Sequence, residues 1–333
     1  MQKSQSTSVG IVGAGISALT AAHVLARAGF RPHLFEKSRG PGGRMATRRE
    51  GDYAFDHGAQ YFTARDPRFV EKVKTWTACG LVEVWNGRIG SLEKGVFRLQ
   101  QQSPERFVGV PSMSAIGRHL AEPLPITYGQ RVESLRRTQS GWQLSGAELA
   151  FACDVVVVSA PPQQALDLLP ENSPLAAAVA EVRLLPCWAL MAVFETPLDL
   201  PFDAAFVGDS VLSWVARNSS KAQRGAHECW VLHTSTSWSE RHLEQPSDAV
   251  AEQLLDAFFT ATDTAPRAPL FAKAHRWRYS IAENPLERGH LWDGEKRLGI
   301  CGDWCHTSRV EGAFLSGLTL AEYIVAAFNG EMQ

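Results

Sequence analysis

The chain of 333 residues contains no Cys-x-x-Cys pair. Its six cysteines, Cys79, Cys153, Cys187, Cys229, Cys301 and Cys305, are scattered, and Cys301 and Cys305 have no second pair to complete a zinc site. Idle or buried thiols in a reducing compartment are the expected reading. Charge of one sign is also missing. The formal net charge is -2, with acids and bases interspersed, which argues against a nucleic-acid surface. No apolar run approaches the roughly 18 residues that a membrane helix needs. The apolar stretch after Ser8 is broken by Gly10, Gly13 and Gly15, with no basic n-region before it, so it reads as a first strand and not a signal peptide. The expectation is a soluble cytoplasmic protein with neither membrane nor nucleic acid as partner. No Ser-His-Asp arrangement, metal cluster, internal repeat or low-complexity linker stands out.

What is present is ordinary globular composition, 45% hydrophobic and 20% charged. At about 150 residues per domain the length suggests two domains. Ten tryptophans are many for this length; core packing claims most, and a planar ligand would use some.

Strand and helix alternate clearly at the start. Val9 to Val12 reads as a buried strand, Ile16 to Ala28 as a helix with Gly29 at its C-cap, and His33 to Phe35 as a second strand ending at Glu36. That is one βαβ unit within about 30 residues. Val155 to Val158, stopped by Pro161 and Pro162, reads as another buried strand. Strand-like stretches follow at Cys187 to Phe194, Val211 to Ala216 and Cys229 to Thr236. Then comes a helix, Ser247 to Thr260, with Ser247 as N-cap. Strands in succession followed by a helix predict a mixed-sheet domain inserted into an α/β one. Near the end, Leu298 to Cys301 reads as a strand and Glu311 to Phe328 as an apolar helix.

Gly13-Ala14-Gly15-Ile16-Ser17-Ala18 matches the dinucleotide-binding pattern G-x-G-x-x-G/A in the right setting, after a strand and opening a helix. Gly13 permits the tight turn, Gly15 lets backbone approach a pyrophosphate, and Ala18 lets helix and strand pack closely. The helix start offers free N–H groups and a positive dipole end to phosphates. Glu36, about 20 positions on, suits the ribose hydroxyls of an adenosine.

Lys37-Ser38-Arg39-Gly40-Pro41-Gly42-Gly43-Arg44 resembles the second glycine motif of the flavin amine oxidase superfamily, E-x(5)-G-G-R. Gly302-Asp303-Trp304 with Val310-Glu311-Gly312-Ala313-Phe314-Leu315-Ser316-Gly317 resembles that family's closing element. The resemblance implies non-covalent FAD in a glutathione-reductase-like Rossmann domain built from both ends of the chain. Asp303 would bond a ribityl hydroxyl, and the helix from Val310, with Ala313 on its first turn, would point its N-terminus at the flavin pyrimidine edge. Lys37, Gly43, Arg44 and Val132 join the implied cofactor-binding set.

Phe55-Asp56-His57-Gly58-Ala59-Gln60-Tyr61-Phe62-Thr63 resembles the D-x-G-A-Q-Y segment of renalases, as do Trp277-Arg278-Tyr279-Ser280 and Val231-Leu232-His233-Thr234. This narrower resemblance implies an oxidase that takes a hydride from the 2- or 6-dihydro isomers of NAD(P)H and passes electrons to O2, giving NAD(P)+ and hydrogen peroxide. Gly58, Ala59, Gln60 and Tyr61 would line the flavin, and His233, Asn218 and Trp277 would face the substrate ring. Arg65 and Arg309 suit either substrate phosphates or the flavin side. The implied division is an FAD-binding domain of 1–65, 105–165 and 275–333 and a substrate domain of 66–104 and 166–274. Two alternatives stay open. One is an amine oxidase in the narrower sense, although the approach Trp304-Cys305-His306 shows only one aromatic of that group's usual pair. The other is a non-catalytic relative used as a binding module, against which Glu36, Gly42-Gly43-Arg44 and Asp303 stand.

Overall fold

Four valines in a row, Val155–Val158, have no polar face to turn to water, and they lie at the middle of a six-stranded sheet. The computed structural model describes residues 6–170 and 172–330. The sheet runs in the order Leu291–Asp293, Leu298–Ile300, Val155–Val158, β1 (Ser8–Val12), β2 (Arg31–Glu36) and Ile126–Tyr128. Every neighbouring pair is parallel except the first, which is antiparallel. Both faces are covered, as a parallel sheet requires. Val155 and Val157 pack with α1 (Ile16–Arg27) and the C-terminal helix Val310–Asn329. Val156 and Val158 point the other way, toward Trp142 and Leu144 of a three-stranded antiparallel sheet. The period of two along one valine run thus joins two cores.

The second sheet has seven strands, in the order Phe271–Ala282, Leu184–Phe194, Glu228–Thr234, Leu212–Arg217, Ala204–Val207, Ile89–Glu93 and Val96–Leu99. It is mixed, as expected: Ala204–Val207 pairs parallel with Ile89–Glu93 and all other neighbours are antiparallel. Alternation again sorts its side chains. Trp188, Leu190, Trp230 and Leu232 pack under the helix Ser247–Thr262, through Leu254 and Phe258. Met191, Val193, Cys229 and Val231 face the opposite way, onto Phe55. The expected domain boundary at 275 falls inside the strand Phe271–Ala282, which hydrogen-bonds within this second sheet.

Two sequence expectations are corrected. Ser247 is the first helical residue and not the N-cap; Pro246 caps the helix without a side-chain bond, and the Ser247 hydroxyl donates to Asp248 instead, at 3.3 Å. The C-terminal helix Val310–Asn329 is long and apolar enough to cross a membrane by length and composition. The glycines and small residues along it disguise that in a search for unbroken apolar runs. Here it is a core helix, with Phe314, Leu315, Leu320 and Ile324 buried against α1 and the first sheet.

The approach of these two helices is set by Gly317, where an added Cβ would meet the Ser17 carbonyl oxygen at 2.0 Å. Gly317→Ala must therefore push the helices apart, at a cost of about 1–3 kcal/mol. Urea unfolding should show a lower midpoint with an unchanged slope. An unchanged midpoint would mean that the helix contact carries no such constraint.

Candidate active site

β1 ends at Val12 and α1 begins at Ile16, so the chain must turn within Gly13, Ala14 and Gly15. Gly13 does this at φ +100°, where a side chain is strained and where a Cβ would meet the Ser159 carbonyl at 2.6 Å. At Gly15 a Cβ would meet nothing within 4 Å. The start of α1 is thus open, and no side chain caps it. Glu36, buried at the end of β2, accepts hydrogen bonds from the backbone N–H of Ala14 (2.9 Å) and of Ser38 (2.8 Å). One carboxylate therefore fixes both turns that flank the opening. The second glycine segment folds back over the first, with Gly42 N–H donating to the Ala14 carbonyl at 2.8 Å.

These elements open onto a cavity of about 1170 Å3. That exceeds the roughly 300–1,000 Å3 of sites for drug-sized ligands and suits a dinucleotide. Glu36, Lys37, Arg131, Val132 and Gln164 line it together. Lys37 Nζ donates to Gln164 Oε1 at 3.0 Å, and the Gln130 N–H donates to the Glu36 carbonyl. Farther along, Arg44 and Asp303 form a two-bond ion pair, Nη1 to Oδ2 at 2.9 Å and Nη2 to Oδ1 at 2.6 Å. Arg44 also donates to the Ser280 carbonyl at 2.9 Å, and the Ser308 hydroxyl donates to Asp303 at 3.1 Å. The glycine motif and the C-terminal motif therefore meet directly.

Another part of the cavity is lined by aromatic and imidazole rings. His233, Ala189 and His275 are register neighbours across three strands of the seven-stranded sheet, and Trp277 pairs with Cys187 two residues along. His57 arrives from the first domain and packs on them, its ring 4.7 Å from His275 and 5.0 Å from Trp277. The His57 carbonyl accepts from Trp277 Nε1 at 2.9 Å and contacts His233 Nε2 at 3.0 Å. A carbonyl only accepts, so neutral His233 carries its proton on Nε2. Burial first, then the proximity of His275 and His233, pushes His57 down to about 3. Burial, with Lys221 nearby, pushes His233 down to about 4. Both rings are neutral at pH 7.

The His57 carbonyl is held in turn by its neighbour Asp56, which is fully buried. Its carboxylate accepts from Arg224 Nε and Nη2 (3.0 and 2.7 Å), Thr47 Oγ1 (2.8 Å) and the Met113 N–H (3.0 Å), with Lys221 Nζ at 3.5 Å. Burial alone would raise the carboxyl; Lys221 and Arg224 outweigh it and hold Asp56 below the ordinary aspartate range. Burial wins at Lys221, pushed down to about 8 despite Asp56.

Most of the expected site residues do come together. Gly13, Ala14, Gly15, Glu36, Lys37, Gly43, Arg44, Gly58, Ala59, Val132, Asp303, Val310 and Ala313 line the cavity, with His233, Trp277 and Arg309. Ala18 is buried on the packing face of α1 and does not line it. Two expectations are corrected. Asn218 is fully buried and spends its amide on structure, donating to the Ala54 carbonyl at 2.9 Å and accepting from Lys221 at 3.0 Å. Gln60 and Tyr61 do not line the cavity, because the chain leaves its wall after Ala59. Phe62 exchanges backbone bonds with Phe107, Tyr61 packs on Trp85 and Trp214, and the Gln60 amide lies 3.4 Å from His233. Arg65 is likewise outside, its N–H bound to Glu311. Arg131, Gln164, His57 and His275 were not expected as lining residues. His57 could have been found, since it sits inside the Phe55–Thr63 motif beside an aspartate.

Cys301 and Cys305 are buried, do not line the cavity, and have thiols pushed up by burial, Cys301 to about 11. Among the described residues no group of acids, histidines and cysteines could hold a metal ion.

Comparison with known proteins agrees with this site. Residues 11–74 match the model of the NAD(P)-binding Rossmann-like domain, and residues 81–325 match that of the flavin containing amine oxidoreductases. The chain belongs to the flavin-containing amine oxidoreductase family and is a flavin-dependent oxidoreductase. Its cofactor is a flavin, and the open α1 start, Glu36 and the long cavity fit FAD. Among solved structures it is similar to a putative protoporphyrinogen oxidase from Exiguobacterium sp. 255-15, at 12% identity with a TM-score of 0.80 over 96% of this chain and 99% of that one. It is also similar to cyclohexylamine oxidase from Brevibacterium oxydans IH-35A, at 13% identity and TM-score 0.74 over 97% and 100%. Putrescine oxidase bound to putrescine is similar at 14% identity and TM-score 0.74, over 96% and 99%. At such identities the likeness is one of fold.

The histidines set a pH dependence. The unfolded chain protonates these imidazoles near 6.5, whereas the folded chain refuses the proton on His233 until about 4 and on His57 until about 3. Folded pKa values below the unfolded ones mean that stability is full above pH 6.5 and is lost as pH falls from there toward about 3. His23, His33, His275 and His290, lowered chiefly by burial, act in the same direction. Urea unfolding at stepped pH should show this decline, and His233→Gln should make it shallower. A flat profile from pH 7 to 4.5 would contradict the assignment of buried neutral imidazoles.

Proposed function

We propose that the chain is an FAD-dependent oxidase of dihydronicotinamide dinucleotides, specifically the 2- or 6-dihydro isomers of NAD(P)H. Its products are then NAD(P)+ and hydrogen peroxide. The observation that carries this reading is the lining around His57, His233, His275 and Trp277. These side chains are flat, and the two most perturbed histidines are uncharged at neutral pH. None of these four side chains is an acid, and two acids elsewhere in the lining are already engaged, Glu36 by backbone amides and Asp303 by Arg44. A protonated amine therefore meets no counter-charge among these rings. A neutral planar ring can stack on them, and a phosphate-bearing tail suits the cations close by, Arg48, Lys273 and Arg276.

Bound FAD supplies the hydride acceptor and, once reduced, the electrons for O2. The protein's own part is to orient and to exclude water. Trp277 is fixed by its N–H on the His57 carbonyl, and His233 is held by the same oxygen. A ring clamped in one orientation presents only some of its carbons to the acceptor, which separates the 2- and 6-dihydro isomers from ordinary 4-dihydro NADH. Buried, high-pKa thiols at Cys301 and Cys305 support non-covalent attachment of the cofactor. The resemblance of Asp56-His57-Gly58-Ala59-Gln60-Tyr61 to the renalase segment supports the same reading.

Anaerobic mixing with each donor, followed by flavin absorbance, tests it. The 2- or 6-dihydro isomers should bleach the flavin fastest, with oxygen restoring the colour and releasing peroxide. Ordinary NADH, monoamines and polyamines should act slowly or not at all. His233→Ala should slow the bleaching while leaving FAD content unchanged. An amine that reduces the flavin faster than either isomer would overturn the substrate assignment and favour the amine-oxidase alternative.

A further inference from the structure

A second cleft, of about 580 Å3, adjoins the flavin cavity and shares His275 and Arg276 with it. It is lined by Arg48, Lys273, Arg276 and Glu244, together with Trp188 and the Gln245–Ser247 segment. It lies along Phe271–Ala282, the edge strand of the seven-stranded sheet. Three cations thus face one carboxylate there. Glu244 is already divided between two guanidinium groups, with Arg276 Nη1 at 2.8 Å and Arg278 Nη1 and Nη2 at 2.6 and 2.8 Å. One carboxylate cannot neutralise two arginines, and Lys273 makes no ion pair or side-chain hydrogen bond among the described residues. Arg48 is paired with Glu50 at 3.1 Å, yet its charge still reaches the shared wall, where it helps to lower both His57 and His275. The excess is positive and continuous with the ring-lined end of the flavin cavity.

We propose that this cleft binds the phosphate groups of the donor, with Lys273 as their principal unpaired cation and Arg48 and Arg276 as its flanks. This rests on the dihydronicotinamide reading above. A dinucleotide would then occupy both cavities, its ring among His57, His233 and Trp277 and its phosphates beyond His275. Specificity for a nucleotide over a bare ring would arise from a charge placed on the outer strand and not from the ring site. Lys273 belongs to the strand that also carries His275 and Trp277, with the same side-chain parity, so tail and ring are registered by one backbone.

The test uses the FAD-loaded protein and three donors with the same reactive ring: the dihydronicotinamide riboside, mononucleotide and dinucleotide. KM should fall as phosphates are added, and 0.5 M salt should erase the difference. Lys273→Gln should raise KM for the dinucleotide about tenfold and Lys273→Glu further, with kcat unchanged and the riboside unaffected. Inorganic pyrophosphate titrated by calorimetry into the FAD-loaded protein should bind, and should fail to bind the Lys273→Glu variant. If riboside and dinucleotide share one KM, or Lys273→Glu affects both alike, the cleft is not a phosphate site. If none of the three donors reduces the flavin, the substrate reading falls. Pyrophosphate binding that depends on Lys273 would in that case still assign the cleft to an anion, and its absence would remove that too.

Discussion

One carbonyl oxygen, that of His57, joins the halves of the site. Trp277 and His233 come from different strands of the seven-stranded sheet and both end on it, while His57 belongs to the segment that leads out of the nucleotide domain. The oxygen can serve because the residues on either side of it are closely packed and bonded. Asp56 is fully buried with the side chains of Lys221 and Arg224, and is also bound by half-buried Thr47 and the Met113 amide. Gly58 lies so close to Arg44 that a Cβ would meet the arginine's carbonyl at 2.0 Å. A buried ion cluster of this kind is weak as a source of net stability, but breaking it leaves charges stranded at about 3–5 kcal/mol. Its value here is geometric: it ties residues 47 and 56, 113, and 221 and 224, three separate stretches of the sequence, to one point beside the cavity.

The same geometry sets the chemistry available. Burial keeps the imidazoles neutral, so the ring-lined part of the cavity offers flat surfaces and fixed hydrogen-bond partners in place of titrating acids and bases. That suits hydride transfer, which needs alignment more than proton transfer. Charge lies around the rings and not among them: in the Arg44–Asp303 pair, in the buried Asp56–Lys221–Arg224 cluster, and in Arg48, Lys273 and Arg276 of the adjoining cleft. Proteins with this fold at 12–14% identity include oxidases of quite different substrates by name, a putative protoporphyrinogen oxidase and two amine oxidases. The frame is common to them, and function lies in what lines it.

The nucleotide unit was legible because its rules are local. Gly13, Gly15 and Glu36 lie within one βαβ unit, and helical spacing together with the glycines at the turn and at Gly29 places β1, α1 and β2 to within a few residues. The motif around Asp303 was legible by resemblance, and Val155–Val158 by its lack of any polar face. What could not be read was long-range. Asn218 looked like a substrate-facing amide, but its partners are Ala54 and Lys221, and only the fold brings Ala54 to it. Tyr61 looked continuous with Gly58 and Ala59, yet pairing of Phe62 with Phe107 turns the chain away from the cavity. His275 is called to the site by a register across three strands, which no local pattern encodes. The C-terminal helix shows the same limit in another form: its apolarity is spent on α1 and the sheet, a fact of packing and not of composition.

The most direct test of the central constraint is Asp56→Asn in the FAD-loaded protein. The amide keeps the shape of the aspartate and removes its charge, so the His57 carbonyl loses its electrostatic anchor without a cavity being opened. The stranded Lys221 and Arg224 should lower the unfolding midpoint; in the folded fraction that retains FAD, flavin reduction at saturating dihydronicotinamide donor should be at least about tenfold slower, because Trp277 and His233 no longer converge. Stopped-flow absorbance measures that rate directly. A variant that holds FAD and is reduced at the wild-type rate would show that the buried cluster serves stability alone, and that the His57 oxygen does not organise the site.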